Sequence, residues 1–486
     1  MAHGARKELE KKLGLFPLIA LGVSGVIGSS WIYTNGTFFD TYGAGGMIFG
    51  LALGSLLAAL VALAYAELTS LFPRAGGEVV FGYTILGRRV GFIAGWLLIG
   101  AYVSSLAFYF TAFGVLLDMV FPVMHEIPLY TIAGESVTLP ILLSGLVLVV
   151  LFYVLNLWGV SLGGQLQTML FVALIAIGAA LAVVGFTQGS FDNFWPPFRE
   201  DQNATMNILR FVVPGMTYMA GFGLIATLAE DAKLEPKVIG RLVVATVLLA
   251  GAFYCIVLAS SAFVLPWQEV AGMDRGTIDA FTTAGFPVLG WGAFAIAILG
   301  LLTSFLGLYM ATSRIIVAMA RASLLPAGLA KLDEAHGTPK NALLFVAAIT
   351  VGLGWLGRGA VVWFLDTGGI YLGLVWIIVV AAKMQLGKKF PHLARKSKYN
   401  TGMLPVIGAV GAVLVIVLAL FPGSKLSLVW PAEYIMLVVW FVLGAILYKV
   451  STPVPREQAL EELLGSYAKT LVARENPTPT SKDTLR

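Results

Sequence analysis

The sequence predicts an all-α, polytopic membrane protein. Of its 486 residues 58% are apolar and 12% charged, with a mean hydropathy of +0.89, which leaves little polar surface for water-soluble domains. Apolar runs of roughly 20 residues, the length that crosses a hydrocarbon layer about 30 Å thick, recur about twelve times. The runs lack the ten-residue alternation of an outer-membrane barrel, so their backbone must satisfy its own N–H and C=O groups as helix.

In chain order, residues 1–14 form a basic N-terminus, and spans are expected near 15–38, 44–71, 91–120, 138–157, 162–187, 207–229, 240–265, 288–314, 341–357, 361–383, 404–421 and 426–449. The first run is too long for a signal-peptide h-region and lacks a convincing small-residue cleavage site, so it reads as a retained helix. The connections are short except for 121–137, 188–206 and 266–287, which are expected to cap one mouth. The segment SFDNFWPP (Ser190–Pro197) has interfacial composition. From Pro453 the chain turns polar; Arg456–Leu471 reads as a short amphipathic helix, and the NPTPTSKDTLR end reads as disordered.

Charge sets the orientation. The N-terminus, the loops holding Arg74, Arg88 and Arg89, Lys233 to Arg241, Arg314 to Lys340 and Lys383 to Lys398, and the tail from Lys449 hold 26 of the 31 Lys and Arg; the alternate loops hold Arg199, Arg210, Arg275, Arg358 and Lys425. The positive-inside rule then puts both termini in the cytoplasm and the spans in a plasma membrane. Nucleic-acid binding is not needed to explain the net charge of +5. The single cysteine, Cys255, excludes an intrachain disulfide, and the four histidines, His3, His125, His336 and His392, lie in loops or termini. No cluster at one depth suggests an enzyme.

Two spans are interrupted by small residues. GVSGVIGSSW (Gly22–Trp31) breaks the first over Ser24–Ser30, and PGMTYMAGFG (Pro214–Gly223) breaks the sixth. An odd number of spans separates the breaks, so two like units would be inverted across the membrane. The expected organisation is a first repeat over 15–187, a second over 207–383, two further helices over 404–449 and a tail over 450–486. Paired breaks of this kind mark a midplane site. Backbone N–H groups freed at Ser29, Ser30 and Trp31 suit a carboxylate, and carbonyls at Val26, Thr217 and Ala220 suit an ammonium group. Close packing through small residues is the alternative.

Four motifs carry a resemblance. IGSSWI (Ile27–Ile32), YAELTSLFPRAGGEVVFGYTILGRRVGFIAGW (Tyr65–Trp96), AGFGLIATLAEDAKLEPKVIGR (Ala220–Arg241) and SRIIVAMARASLLP (Ser313–Pro326) are similar to the amino acid-polyamine-organocation (APC) superfamily of permeases. The resemblance spans nearly the whole chain. It implies a LeuT-like fold of five-plus-five inverted repeats with discontinuous helices 1 and 6, and alternating-access transport. It places substrate on Val26, Gly28, Ser29, Ser30, Thr217 and Ala220, with Tyr218 and Phe222, like Tyr102, as aromatic wall candidates. Ser30 stands where the family usually has glycine. Gly223 stands where it usually has an acid, which removes a candidate proton carrier. Thr217 replaces a bulky aromatic residue, so the pocket is expected to admit a medium or large neutral side chain.

No organic cofactor is implied; the coupling ion is left open between sodium, proton and simple exchange. Thr303 and Ser304 resemble the hydroxyl pair of a sodium site that carbonyls near Ser24 and Ile27 would complete, whereas back-bonding to the preceding turn is the bland account of such a pair. In many relatives a fifth-helix lysine takes the sodium's place; the matching residue here is expected to be Leu174. Glu67, Arg74, Glu78, Glu230 and Arg314, with Asp231, are candidates for a cytoplasmic gate. Asp366 is read as lying near the outer vestibule or as a helix N-terminal carboxylate. The expected partners are an amino acid and the lipid bilayer, with oligomeric state open. The rivals are a carrier of polyamines or cationic amino acids, and, from another class, a membrane receptor or enzyme.

Overall fold

A computed structural model describes residues 11–199, 203–333, 336–396, 401–422, 424, 427–465 and 468. The chain is mostly helical. Eight helical runs among the described residues are long and apolar enough to cross a membrane: Leu15–Leu71, Arg88–Asp118, Leu139–Leu157, Gly163–Gln188, Pro236–Val264, Pro287–Arg321, Arg358–Lys389 and Ala432–Val450. The first holds two of the expected spans. The expected sixth is interrupted, and the ninth and eleventh are the shorter helices Lys340–Gly354 and Leu404–Leu420.

Helix α1 (Leu15–Val26) stops at Ile27, whose ψ of 89° leaves the helical region, and α2 (Trp31–Leu71) starts four residues later. Within α2, Gly43 (φ 74°, ψ 157°) leaves the helical region and divides the run in two. The kink seats against the stretch after α7 (Phe191–Phe194), where the Pro197 carbonyl accepts from the Gly45 N–H at 2.7 Å. Next come α3 (Gly77–Phe81), which runs into a π turn over Gly82–Leu86, then α4 (Arg88–Asp118), α5 (Leu139–Leu157) and α6 (Val160–Gln188).

The sixth span is α8 (Ala204–Tyr218), a break over Met219–Gly223, and the single turn α9 (Leu224–Thr227). The sequence-based break began at Pro214, but the helix runs through that proline for a further turn. A proline removes one N–H and clashes with one carbonyl, which a packed helix tolerates by local adjustment. The backbone leaves the helix only beyond Tyr218, and Gly221 has φ +104°. The remainder is α10 (Pro236–Val264), α11 (Trp267–Val270), α12 (Thr277–Thr283), α13 (Pro287–Arg321), α14 (Lys340–Gly354), α15 (Val361–Lys389), α16 (Pro391–Lys396), α17 (Leu404–Leu420), α18 (Ala432–Val450) and α19 (Arg456–Leu464).

Helix α1 packs against α6, α10 and α13, and its residues from Leu18 to Val26 are mostly buried. Helix α2 packs on α8 and α10, and α4 on α13 and α15. Helix α18 stands outside this body with only Glu433, Leu437 and Gly444 buried. It is fastened by a reciprocal indole pair. The Trp96 and Trp440 rings stack 4.3 Å apart, each N–H donating to the other's carbonyl at 2.9 and 3.2 Å. Gly100 and Gly444 make room for the pair: a Cβ at either would come within 2.5 Å of the facing indole nitrogen.

One of the expected covers contains strands that polarity alone did not announce. Residues 121–137 include a hairpin, β1 (Pro128–Ile132) with β2 (Glu135–Thr138). Its two-residue turn, Ala133–Gly134, has both φ values positive, as the twist of paired strands favours. In the tail, α19 buries Ala459, Leu460, Leu463 and Leu464, so the amphipathic reading finds its apolar face covered; the NPTPTSKDTLR end lies outside the described residues. At the other end, Leu13 pairs with Ala232 in a parallel bridge. The Asp231 carbonyl accepts from the Lys12 and Leu13 N–H groups, both at 2.9 Å, and the Lys233 N–H donates to the Leu13 carbonyl at 2.8 Å. The root of α1 is thus tied to the segment that follows α9.

Candidate binding site

The two breaks meet. A Cβ on Gly221 would lie 2.5 Å from the Gly25 carbonyl oxygen, and one on Gly300 would lie 2.5 Å from that of Gly28. Only glycine allows α13 and the second break to approach the first this closely. Between the breaks lies a cavity of about 330 Å³, lined by Gly25, Val26, Gly28, Ser30 and Trp31 from the first and Pro214, Thr217, Tyr218, Ala220 and Gly221 from the second. Helix α4 adds Tyr102, Phe108 and Tyr109, α10 adds Tyr254, and α15 adds Asp366, Gly368 and Gly369.

Of the sequence-based substrate residues, Val26, Gly28, Ser30, Thr217, Tyr218 and Ala220 line this cavity; Ser29 and Phe222 do not. The Ser29 side chain is buried, and the Phe222 ring turns away to pack on Tyr65 and Trp376, with centroids 5.0 and 5.3 Å apart. The wall candidate Tyr102 is in place, and Asp366 faces the cavity.

Backbone groups in the breaks divide into those already bonded and those left open. The Tyr254 hydroxyl donates to the Val26 carbonyl at 2.7 Å and accepts from the Gly28 N–H at 3.2 Å. The Trp31 indole donates to the Gly28 carbonyl at 2.9 Å. The Thr217 carbonyl accepts from the Ala220 N–H at 3.0 Å. The carbonyls of Val26 and Thr217 therefore each hold a protein donor already, leaving one lone pair apiece. The N–H groups of Ser29 and Ser30 find no backbone acceptor among the described residues. They sit at the opening of α2, where the helix dipole favours an anion.

Ser24, Ile27, Thr303 and Ser304 also come together. The Ser304 hydroxyl reaches the carbonyls of Ser24 at 2.9 Å and Ile27 at 3.2 Å. The Thr303 hydroxyl bonds back to Leu299 at 2.8 Å and Gly300 at 3.1 Å. By oxygen type the group fits sodium, and each hydroxyl is also satisfied within the protein. The fifth-helix side chain beside it is Gln167, whose amide N–H donates to the Ser24 hydroxyl and to the Thr303 carbonyl. Leu174, two turns on, is buried in the apolar core.

A family model for amino acid permeases matches residues 13–445. The chain belongs to the amino acid permease family. It is accordingly a multi-pass membrane transporter and not an enzyme. It is 26% identical to the branched-chain amino acid permease BcaP of Lactococcus lactis subsp. cremoris, covering 91% of this chain and 95% of that one. It is also 26% identical to BcaP of Bacillus subtilis, covering 92% and 94%. A methylthioribose transporter of Bacillus subtilis is 25% identical over 92% of this permease and 94% of the relative.

The gate candidates of the permease are all buried side chains. Arg314 is clamped by both Asp231 oxygens, at 3.1 and 3.2 Å, with both side chains buried. Glu230 faces Arg321 at 3.4 Å and accepts the Ala75 N–H at 3.1 Å. Glu67 accepts from the Thr401 hydroxyl at 3.4 Å. Arg74 is buried on the loop before α3. Glu78 stands apart, fully buried on α3, where its Oε2 accepts from the Thr227 hydroxyl at 3.2 Å. Its other oxygen occupies the space that a side chain at Gly223 would fill. The carboxylate missing at position 223 is therefore present beside it, carried by another element.

Tyr254 and Gln167 were the residues that sequence reasoning passed over. Both are lone polar groups inside apolar runs, and a buried hydroxyl or amide needs a partner. That rule was the available signal; the partners, at Val26 and Gly28 and at Ser24 and Thr303, are remote in sequence.

Proposed function

We propose that this permease carries a neutral, zwitterionic amino acid with a branched or otherwise sizeable apolar side chain across a bacterial plasma membrane by alternating access. The observation that carries the reading is the junction of two helix breaks on one cavity. The open N–H group at Ser30 suits the substrate carboxylate, and the Ala220 carbonyl with the second lone pairs of Val26 and Thr217 suits its ammonium. Thr217 leaves room for the side chain, and two relatives named for branched-chain amino acids support an aliphatic one. Twelve spans in five-plus-five inverted repeats with both termini cytoplasmic fit this cycle, supported by the paired breaks and by the distribution of Lys and Arg.

Coupling is assigned to protons rather than to sodium. The support is a fully buried carboxyl, Glu78 on α3, with only neutral groups bearing on it. Uptake by proteoliposomes across a panel of amino acids tests both statements. Leucine, isoleucine or valine should be accumulated in sodium-free buffer. Transport of glycine alone would sink the substrate assignment, and uptake that requires sodium and is lost in Thr303→Ala would sink the coupling assignment.

A further inference from the structure

Behind the cavity lies a second, dry site. Glu78 is completely buried, and no hydrogen bond of normal geometry reaches its Oε1. That oxygen is 2.5 Å from where a Cβ on Gly223 would be, and the same point is 3.5 Å from the Tyr102 hydroxyl and 3.3 Å from the Tyr65 ring. Tyr102 also lines the cavity, so this one side chain borders both the cavity and the surroundings of the carboxyl. Gly223 belongs to the second break and opens α9, and Thr227, which holds Oε2, closes that turn. The carboxyl is therefore packed on the backbone that must move if the broken helix rearranges.

The neighbours of Glu78 supply no counter-charge. Helix α2 brings the Tyr65 phenol and α4 the Tyr102 phenol. Helix α9 brings Thr227, and α15 brings Trp376 behind Phe222. Arg314 on α13 is held by Asp231, and Tyr83 on the π turn faces Arg88 and Arg456. Arg74, on the loop before α3, is not among the groups that bear on the carboxyl. What bears on the Glu78 carboxyl is Thr227, Tyr65 and its own backbone N–H, all neutral. An isolated carboxylate in such a place is strongly disfavoured unless it takes up a proton.

We propose that Glu78 is the proton-binding site of the transport cycle, loaded from the cavity past Tyr102 and unloaded to the cytoplasm when α9 swings away. The step is proton transfer alone. An O–H bond forms at the carboxyl as a cavity hydronium gives up a proton and becomes water, and it breaks after α9 has moved as a cytoplasmic water takes the proton and becomes hydronium; no electrons change hands. Burial without a cation pushes this carboxyl up to about 7, so modest changes in its surroundings load or empty it at neutral pH. The inference rests on the carrier reading above and deepens it.

The test uses the full chain in proteoliposomes. Leucine counterflow without a gradient tests the carrier reading by itself. Wild-type protein should then accumulate leucine under an inward proton gradient and lose that accumulation with a protonophore. Glu78→Gln should accumulate nothing above the no-gradient level, although leucine still raises its melting temperature. Glu78→Asp, which keeps a titratable carboxyl, should restore part of the gradient response. Wild-type protein that exchanges leucine but ignores the gradient overturns the proton site and leaves the carrier reading standing, whereas Glu78→Gln that still accumulates leucine overturns the proton site alone. Should Glu78→Gln not fold, infrared spectra of the wild type decide: a protonated carboxyl band lost as pH rises through neutrality and shifted by leucine supports the site, and a carboxyl ionised throughout overturns it.

Discussion

Tyr254 spends one hydroxyl on two backbone groups of the first break, the Val26 carbonyl and the Gly28 N–H. Removing it in Tyr254→Phe leaves both unpaired in a buried site, so the variant should be less stable by about 1–3 kcal/mol, read as a lower melting temperature in detergent. Thr217 governs room rather than stability. Thr217→Trp should raise the KM for leucine about tenfold or more, equivalent to about 1.4 kcal/mol of lost binding, while alanine is still carried. Glu78 has a pH signature of its own. Its carboxyl stays protonated in the folded chain up to about 7 but ionises near its ordinary value once unfolded. The folded state therefore loses stability as pH rises from the unfolded value through the folded one, on the order of 3 kcal/mol in all, and is unaffected below that window. The melting temperature of Glu78→Gln relative to wild type should rise across this window and level off above it. At this scale the sequence spoke clearly for Gly28, Ser30 and Thr217, because a break in a membrane helix exposes whatever flanks it. It was silent on which polar groups answer each other across hundreds of residues, and so Tyr254, Gln167 and the pairing of Glu78 with Gly223 needed the fold.

Most single helices were legible to within about a turn, since hydropathy fixes a span by length, but α13 and α15 run on for nearly two turns beyond the expected ends and α18 starts six residues later than expected. The break in the sixth span was displaced because proline is a strong breaker in water but is accommodated where neighbours re-satisfy its carbonyl. The β1–β2 hairpin escaped notice because its strands are only five and four residues long. Helix α18 gives a prediction of its own. Its packing on α4 and α15 centres on Trp440, which stacks on Trp96 and meets Tyr371, so Trp440→Ala should lower stability by about 3–5 kcal/mol. As α18 does not line the cavity, the KM for leucine should hold, and hydrogen exchange should show the loss of protection confined to α18 and the facing turns of α4.

For the molecule as a whole, what counts is which parts move together. Hydropathy and the Lys/Arg distribution anticipated a polytopic bundle with paired breaks; they carried no information about attachments between the breaks, because backbone pairing at Leu13 and Ala232 leaves no trace in residue type. The bridge ties the root of α1 to the exit of α9 through backbone hydrogen bonds, so a swing of one broken half alone would have to break them. They form one lever with a single fulcrum at the cavity, and whatever the substrate does to one arm is felt by the other without delay. A disulfide engineered between positions 13 and 232 should therefore leave uptake intact, and arrest on oxidation would show that the arms part. Such a lever should leak little: a half-open door, with one arm lifted and the other down, would first have to unpick this stitch.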